Sequence, residues 1–259
     1  MQIRMPVGAA KSVWQQRSSE PKGEGTGLTK QPLITQSELD ALRRLDTCTV
    51  CNAIETFDIR LDNTGFADPS IRCMFPDLPP MVGYAATARL RSGEPPIQGG
   101  RYHDRSHWWT SILAVPAPRV VVIQDIDEPP GRGAFLGDVH AAILQALGCV
   151  GFVSNGAVRE LSRVRDLNFS LFAGNVAVSH AYAHLFELGE VVTVGGLEIR
   201  PGDLLHGDRH GLLNVPKEIA PKIPGVAARL REQEEQVIKY CQSPEFSVDG
   251  LCAIFKRMC

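Results

Sequence analysis

The sequence predicts an α/β fold with buried strands, and two observations carry that prediction. The first is Val120 to Ile123, a run of aliphatic, β-branched residues between Pro118 and the acidic turn Asp125 to Pro130. A short apolar run without alternation reads as a strand covered on both faces. The second is a change of element type along the middle of the chain. Leu136 to Leu147 reads as helix, Cys149 to Val153 as strand, Asn155-Gly156 as turn, Val158 to Leu167 as helix and Leu171-Phe172 as the start of another strand. Alternation of this kind places helices over a sheet.

The remaining elements follow in chain order. Residues 1–34 carry Ser18, Ser19, Pro21, Gly23, Gly25, Gly27 and Pro32 with little apolar periodicity, the composition of a flexible arm. Thr-Gln-Ser-Glu at 35–38, followed by Leu39, Leu42 and Leu45, predicts an amphipathic helix capped by Thr35 or Ser37. A second helix is expected from Thr47 or Thr49 to Phe57, then an irregular stretch from Gly65 to Pro80 and a strand from Met81 to Leu90. Arg91 to Gly100 reads as loop, and Arg101 to Ala114 as a short helix bearing His103, His107, Trp108 and Trp109. Another short helix is expected around Ser179 to Leu188. Gly195-Gly196 predicts a hairpin joining Val191–Val194 to Leu197–Ile199. Short strands at Leu204 to His206 and Leu212 to Val215 precede a charged amphipathic helix, Val226 to Cys241. The domain reading is an arm over 1–34, an α/β domain over 35–220 and a helical extension over 221–259.

Composition excludes several classes of function. Of 259 residues, 27 are Lys or Arg and 29 Asp or Glu, a formal charge of −2, which leaves no basic surplus for sequence-independent nucleic-acid binding. No apolar run reaches the roughly 18 residues of a membrane span, and the N-terminus lacks the apolar core of a secretory signal, so a cytoplasmic protein is expected. The seven cysteines are expected to be free thiols.

Several motifs have spacings that chemistry could use. Cys48-x-x-Cys51 has zinc or redox spacing, but no second pair accompanies it, so structural thiols are the reading. The histidine pairs 103/107, 180/184 and 206/210 have i,i+4 spacing without the glutamate of a metalloprotease helix. No glycine-rich dinucleotide or phosphate loop and no nucleophile elbow is present. The segment with a signal is Gly137 to Glu160. Gly137-Asp138-Val139-His140 enters a helix whose first N–H groups lack partners and can hold a carboxylate or phosphate. Arg159 and Glu160 follow a strand and open the next helix, and neighbouring strand-to-helix units bring such starts together. Asp138, Arg159 and Glu160 can therefore converge on an anion pocket. They can equally be a capping aspartate and a surface Arg–Glu pair.

Four stretches resemble the RraA-like family of class II 4-hydroxy-4-methyl-2-oxoglutarate/4-carboxy-4-hydroxy-2-oxoadipate aldolases and ribonuclease regulators. They are Met81-Val-Gly-Tyr-Ala-Ala-Thr-Ala, Ala134-Phe-Leu-Gly-Asp138, Gly148-Cys-Val-Gly-Phe-Val-Ser-Asn-Gly-Ala-Val-Arg-Glu160, and Gly195-Gly-Leu-Glu-Ile-Arg-Pro-Gly-Asp203 continuing to Gly207-Asp208. The resemblance covers residues 36–220. It implies a single domain with a mixed sheet covered by helices, of the swivelling β/β/α type, assembled as a homotrimer or homohexamer. By similarity, Arg159 and the backbone of Gly137, Val139 and His140 would hold a pyruvate carboxylate. Asp138 would position a water for proton transfer, and Glu160, where aldolases carry Asp, would bind Mg²⁺ or Mn²⁺. The implied substrate is a small 2-keto acid, with oxaloacetate decarboxylation as a second activity. The alternative is a non-catalytic regulator that binds a protein partner. Arg101, His103, His107 and Trp108 are further candidates for lining the pocket.

Overall fold

The computed structural model describes residues 34–96 and 105–258. Residues 1–33 of the expected N-terminal arm, Arg101 and His103 lie outside these residues, whereas Ile34, the last residue of that arm, is buried with Leu39 and Leu42. Among the described residues no helix is long and apolar enough to cross a membrane.

The first two helices are fixed by their caps. Thr35 caps α1 (Gln36–Arg43): its hydroxyl accepts from the Glu38 N–H at 3.3 Å, and the Glu38 carboxylate accepts from the Thr35 N–H at 2.7 Å. Asp46 caps α2 (Thr47–Glu55) by accepting from the Thr49 N–H at 2.9 Å. Leu39 and Leu42 of α1 and Val50, Ala53 and Ile54 of α2 pack with Ile223, Val226 and Ala227 of α6 (Ile223–Cys241). The helix expected from Val226 thus starts three residues earlier, and a further helix, α7 (Val248–Met258), follows it.

The sheet is mixed. Its parallel centre consists of β2 (Met81–Arg91), β3 (Arg119–Asp125), β5 (Cys149–Val158) and β6 (Ser170–Val176). Short β4 (Ala134–Leu136) pairs parallel with the end of β5. Antiparallel strands flank this centre: β1 (Arg72–Cys73) on β6, β7 (His184–Leu188) on the end of β2, and β10 (Leu204–Asp208) on the start of β2, followed by β11 (Gly211–Val215). β8 (Val192–Val194) and β9 (Leu197–Ile199) form the expected separate hairpin across Gly195-Gly196.

Alternation along β3 shows why the run had to be apolar throughout. Val121 and Ile123 face one core with Phe152, Leu144 of α4 (Asp138–Ala146) and Ile112 of α3 (Ser106–Leu113). Val120 and Val122 face another core, shared with Val192, Val194, Leu197 and Ile199 of the β8–β9 hairpin. Each such side chain contributes about 1.5–3 kcal/mol when fully buried.

Three sequence expectations are corrected. Asn155-Gly156 is not a turn but lies inside β5. The Asn155 amide accepts from the Asp125 N–H at 2.7 Å and donates to the Asp125 carbonyl at 2.8 Å, so a side chain continues the pairing with β3 where the register to β6 shifts. The helix expected from Val158 begins only at Leu161, as α5 (Leu161–Asp166). Arg159 and Glu160 connect strand to helix, and Glu160 serves as N-cap with φ +56° rather than opening the helix. Residues 179–188 are not helical: a turn with Ala181 at φ +44° leads into β7.

Candidate active site

β4 and β5 are parallel neighbours, so their carboxyl ends emerge side by side. Each feeds a helix, β4 through Gly137 into α4 and β5 through Arg159 and Glu160 into α5. This brings Asp138, Arg159 and Glu160 together, as their spacing allowed. The Glu160 Oε2 accepts from the Asp138 N–H at 3.1 Å, and its Oε1 lies 3.4 Å from the Arg159 Nη2. A carboxylate of the chain itself therefore sits on the amino end of α4, where the helix dipole and unpaired N–H groups favour negative charge. Gly137 is required by this approach, since a Cβ there would run into the Glu160 carboxylate.

The Asp138 carboxylate is tied down at both oxygens. Oδ1 accepts from the Val139 N–H at 2.7 Å and Oδ2 from the Arg163 Nη1 at 3.1 Å. The hydrogen bonds from Arg163 and from the Val139 N–H lower the Asp138 pKa, so this group is ionised at neutral pH. The Val139 amide, expected to face a substrate carboxylate, is thus already engaged by Asp138.

The pocket in front of these groups has a volume of about 310 Å³. Its lining includes apolar Phe135 and Ile143 together with Arg105, His140, His180, Tyr182 and His184. The His140 ring stacks on Phe135 with centroids 5.1 Å apart and contacts the Arg105 guanidinium. The Arg105 Cζ in turn lies 5.6 Å from the Phe135 centroid. Burial, reinforced by the positive charges of Arg105 and Arg159, lowers the His140 pKa from 6.5 to about 4, so the imidazole is neutral at pH 7.

Of the predicted residues, Gly137, Asp138, Val139, His140, Arg159 and Glu160 line this pocket. His107 and Trp108 do not. His107 is exposed on α3, and Trp108 is 3% exposed, packed edge-on against Phe135 behind the pocket. Sequence reasoning missed Arg105, Phe135, Tyr182 and the side chain of His140. His180 and His184 were noticed, but as a helical pair; a turn carries both to the pocket wall. Their i,i+4 spacing was the available signal, and its helical interpretation hid it. The carboxylate oxygens of Asp138 and Glu160 are the pocket groups whose chemistry suits a hard cation.

A family profile described as RraA-like, Aldolase/RraA, matches residues 47–213. A Halalkalibacterium halodurans protein provisionally named 4-hydroxy-4-methyl-2-oxoglutarate aldolase is 34% identical over 85 residues, 32% of this chain and 40% of that protein. An uncharacterized Methanocaldococcus jannaschii protein is 27% identical over 139 residues, 52% of this chain and 65% of that one. The chain therefore spans less than two thirds of the length of either relative. Among solved structures, Streptomyces coelicolor RraAS2, described as an unusual member of the RNase ES inhibitor RraA protein family, superposes with a TM-score of 0.61 at 22% identity. That superposition covers 78% of this chain and 96% of the other, a likeness of fold. The profile match takes in more than half of the chain and includes β4, β5 and the two helix starts that build the pocket, so the chain belongs to the RraA-like family.

Proposed function

We propose that this protein is a divalent-metal-dependent carbon–carbon lyase. It cleaves a 2-keto-4-hydroxy acid of the 4-hydroxy-4-methyl-2-oxoglutarate kind, releases pyruvate, and decarboxylates oxaloacetate as a second activity. The observation that carries the reading is the convergence of Asp138, Arg159 and Glu160 on the amino end of α4.

The donor chemistry of the pocket fits Mg²⁺ or Mn²⁺, because two carboxylates start adjacent helices and hard cations take oxygen ligands from one or two carboxylates plus substrate and water. Glu160 would hold the ion, with Asp138 acting through water. When bound, the cation supplies positive charge opposite the negative charge that develops on the departing pyruvate unit.

The other roles fall to the chain's own groups. Arg159 grips the carboxylate of the keto acid with its planar fork, helped by the amino end of α4, including the backbone of Gly137 and His140. That position already receives the Glu160 carboxylate, which supports a second carboxylate being bound there once Glu160 turns toward the cation. Asp138 is too weak a base to keep a proton at neutral pH, which suits it to orienting a water. That water receives the C4 hydroxyl proton as the C3–C4 bond breaks. The hydroxyl carbon becomes a carbonyl, and the bonding pair passes to C3 of the pyruvate unit, which then takes up a proton. Neutral His140 adds no positive charge against an incoming cation. Phe135 and Ile143 keep bulk water from the reacting carbons.

We also propose assembly as a homotrimer or hexamer. Val139, Val176 and Val178 beside the pocket are 66%, 48% and 97% exposed, an apolar rim that a neighbouring subunit would cover.

Calorimetric titration with oxalate, a planar mimic of the pyruvate enolate, tests the reading. Oxalate is expected to bind only with Mg²⁺ or Mn²⁺ present, and about tenfold or more weakly to Arg159→Ala. Equal binding by the variant, or binding that ignores the metal, would contradict it.

A further inference from the structure

Cys48-x-x-Cys51 and the His206/His210 pair remain unused by the pocket, yet the fold joins half of each motif. Asp46, Cys48 and His210 each present a ligand atom, all within 4.8 Å of one another. They are the one such group of three among the described residues. The group is remote from the pocket in the topology. Asp208 ends β10 and His210 follows it, beyond the start of β2 where Gly207 pairs with Met81, whereas Arg159 and Glu160 follow the carboxyl end of β5, which runs parallel to β3 and hence to β2.

Asp208, 7% exposed, organises the three donors. Its Oδ2 accepts from the Thr47 N–H at 2.9 Å and so fixes the backbone between Asp46 and Cys48. Its Oδ1 accepts from the His210 N–H at 2.8 Å and lies 3.1 Å from the His210 Nδ1. A carboxylate on one ring nitrogen sets the tautomer and leaves the lone pair of the other for a metal. Buried His206 adds a second brace, with Nδ1 3.0 Å from the Thr47 hydroxyl and Nε2 3.1 Å from the Leu42 carbonyl. Asp46 is held by its capping bonds, 2.9 Å to the Thr49 N–H and 2.7 Å to its hydroxyl, and its remaining lone pairs face a cationic neighbour, the Arg231 Nη2 at 3.6 Å. Cys51 takes no part, because its thiol points to the Glu55 carboxylate at 3.5 Å.

We infer that Asp46, Cys48 and His210 form a binding site for a borderline divalent ion of the Zn²⁺ class, completed by water, that clips the start of α2 to the β10–β11 turn. The mixed oxygen, sulfur and nitrogen set decides the class. Thiolate and imidazole select Zn²⁺ or Co²⁺ over Mg²⁺, and three protein ligands leave one position of a tetrahedron for solvent. Binding displaces the Cys48 thiol proton to solvent and requires Arg231 to turn aside. The inference is independent of the proposed lyase activity.

Co²⁺ titration of the full-length chain, followed by visible and near-ultraviolet absorption, tests it. A thiolate-to-cobalt band should saturate at about one equivalent and be displaced by Zn²⁺ but not by Mg²⁺. The band should vanish in Cys48→Ser and His210→Ala, persist in Cys51→Ser, and require about tenfold more Co²⁺ in Asp208→Asn. Circular dichroism of each variant checks that it is folded. No thiolate band in the wild type would overturn the site, and so would a band of full amplitude in folded Cys48→Ser or His210→Ala.

Discussion

Acidification should weaken this protein through His140 in a way that one substitution removes. The imidazole is pressed between Phe135 and the Arg105 guanidinium, and its pKa falls from 6.5 in the unfolded chain to about 4. Between these values the unfolded chain binds a proton that the folded protein refuses. Stability from neutral His140 is therefore complete above pH 6.5 and is lost as the pH falls toward 4. The full shift corresponds to about 3 kcal/mol, of which about 2 kcal/mol is lost between pH 7 and pH 5. In His140→Phe the ring stacking is kept and the titration removed. Denaturant unfolding of both proteins at pH 7 and pH 5 isolates the difference, since every other titrating group is common to the pair. Wild type should lose about 2 kcal/mol more than the variant over this interval. Equal losses would refute the assignment of a neutral, desolvated His140.

The pocket and core make further predictions. Arg159→Lys keeps the positive charge but loses the planar fork, so KM for a 2-keto acid should rise about tenfold in steady-state kinetics, with a smaller change in kcat. Gly137→Ala introduces no backbone strain, because φ −135° and ψ −168° suit any residue, yet the new Cβ displaces Glu160. It should weaken metal-dependent oxalate binding about tenfold while leaving the melting temperature nearly unchanged. Phe152→Ala removes a fully buried ring stacked 6.4 Å from Phe135, and should cost about 3–5 kcal/mol in denaturant unfolding.

What could be read from the sequence was set by how local each signal was. The α1 cap, the buried β3 run and the Gly195-Gly196 hairpin depend on neighbours within a few residues, and all three are found. Asn155-Gly156 carries an equally local turn signal, but Asp125, thirty residues earlier, offers the Asn155 amide two backbone partners and turns the dipeptide into strand. The same limit shaped the pocket. Asp138, Arg159 and Glu160 were legible because parallel strands place successive helix starts together. Arg105 reaches His140 across 35 residues, and His184 reaches the wall through a left-handed Ala181 that no periodicity marks. The Glu160 seat on the Asp138 amide was likewise invisible, since it depends on an unusual positive φ at a non-glycine residue.

The proposed function rests on Asp138, Arg159 and Glu160 forming a pyruvate-releasing metal site. It is tested most directly by following pyruvate release from 4-hydroxy-4-methyl-2-oxoglutarate and from oxaloacetate with Mg²⁺, with Mn²⁺ and with chelator, in wild type, Arg159→Ala and Glu160→Ala. Metal-dependent release by wild type, lost in both variants, is the expected result. Release that survives in Glu160→Ala, or no release from either substrate with either metal, would contradict it.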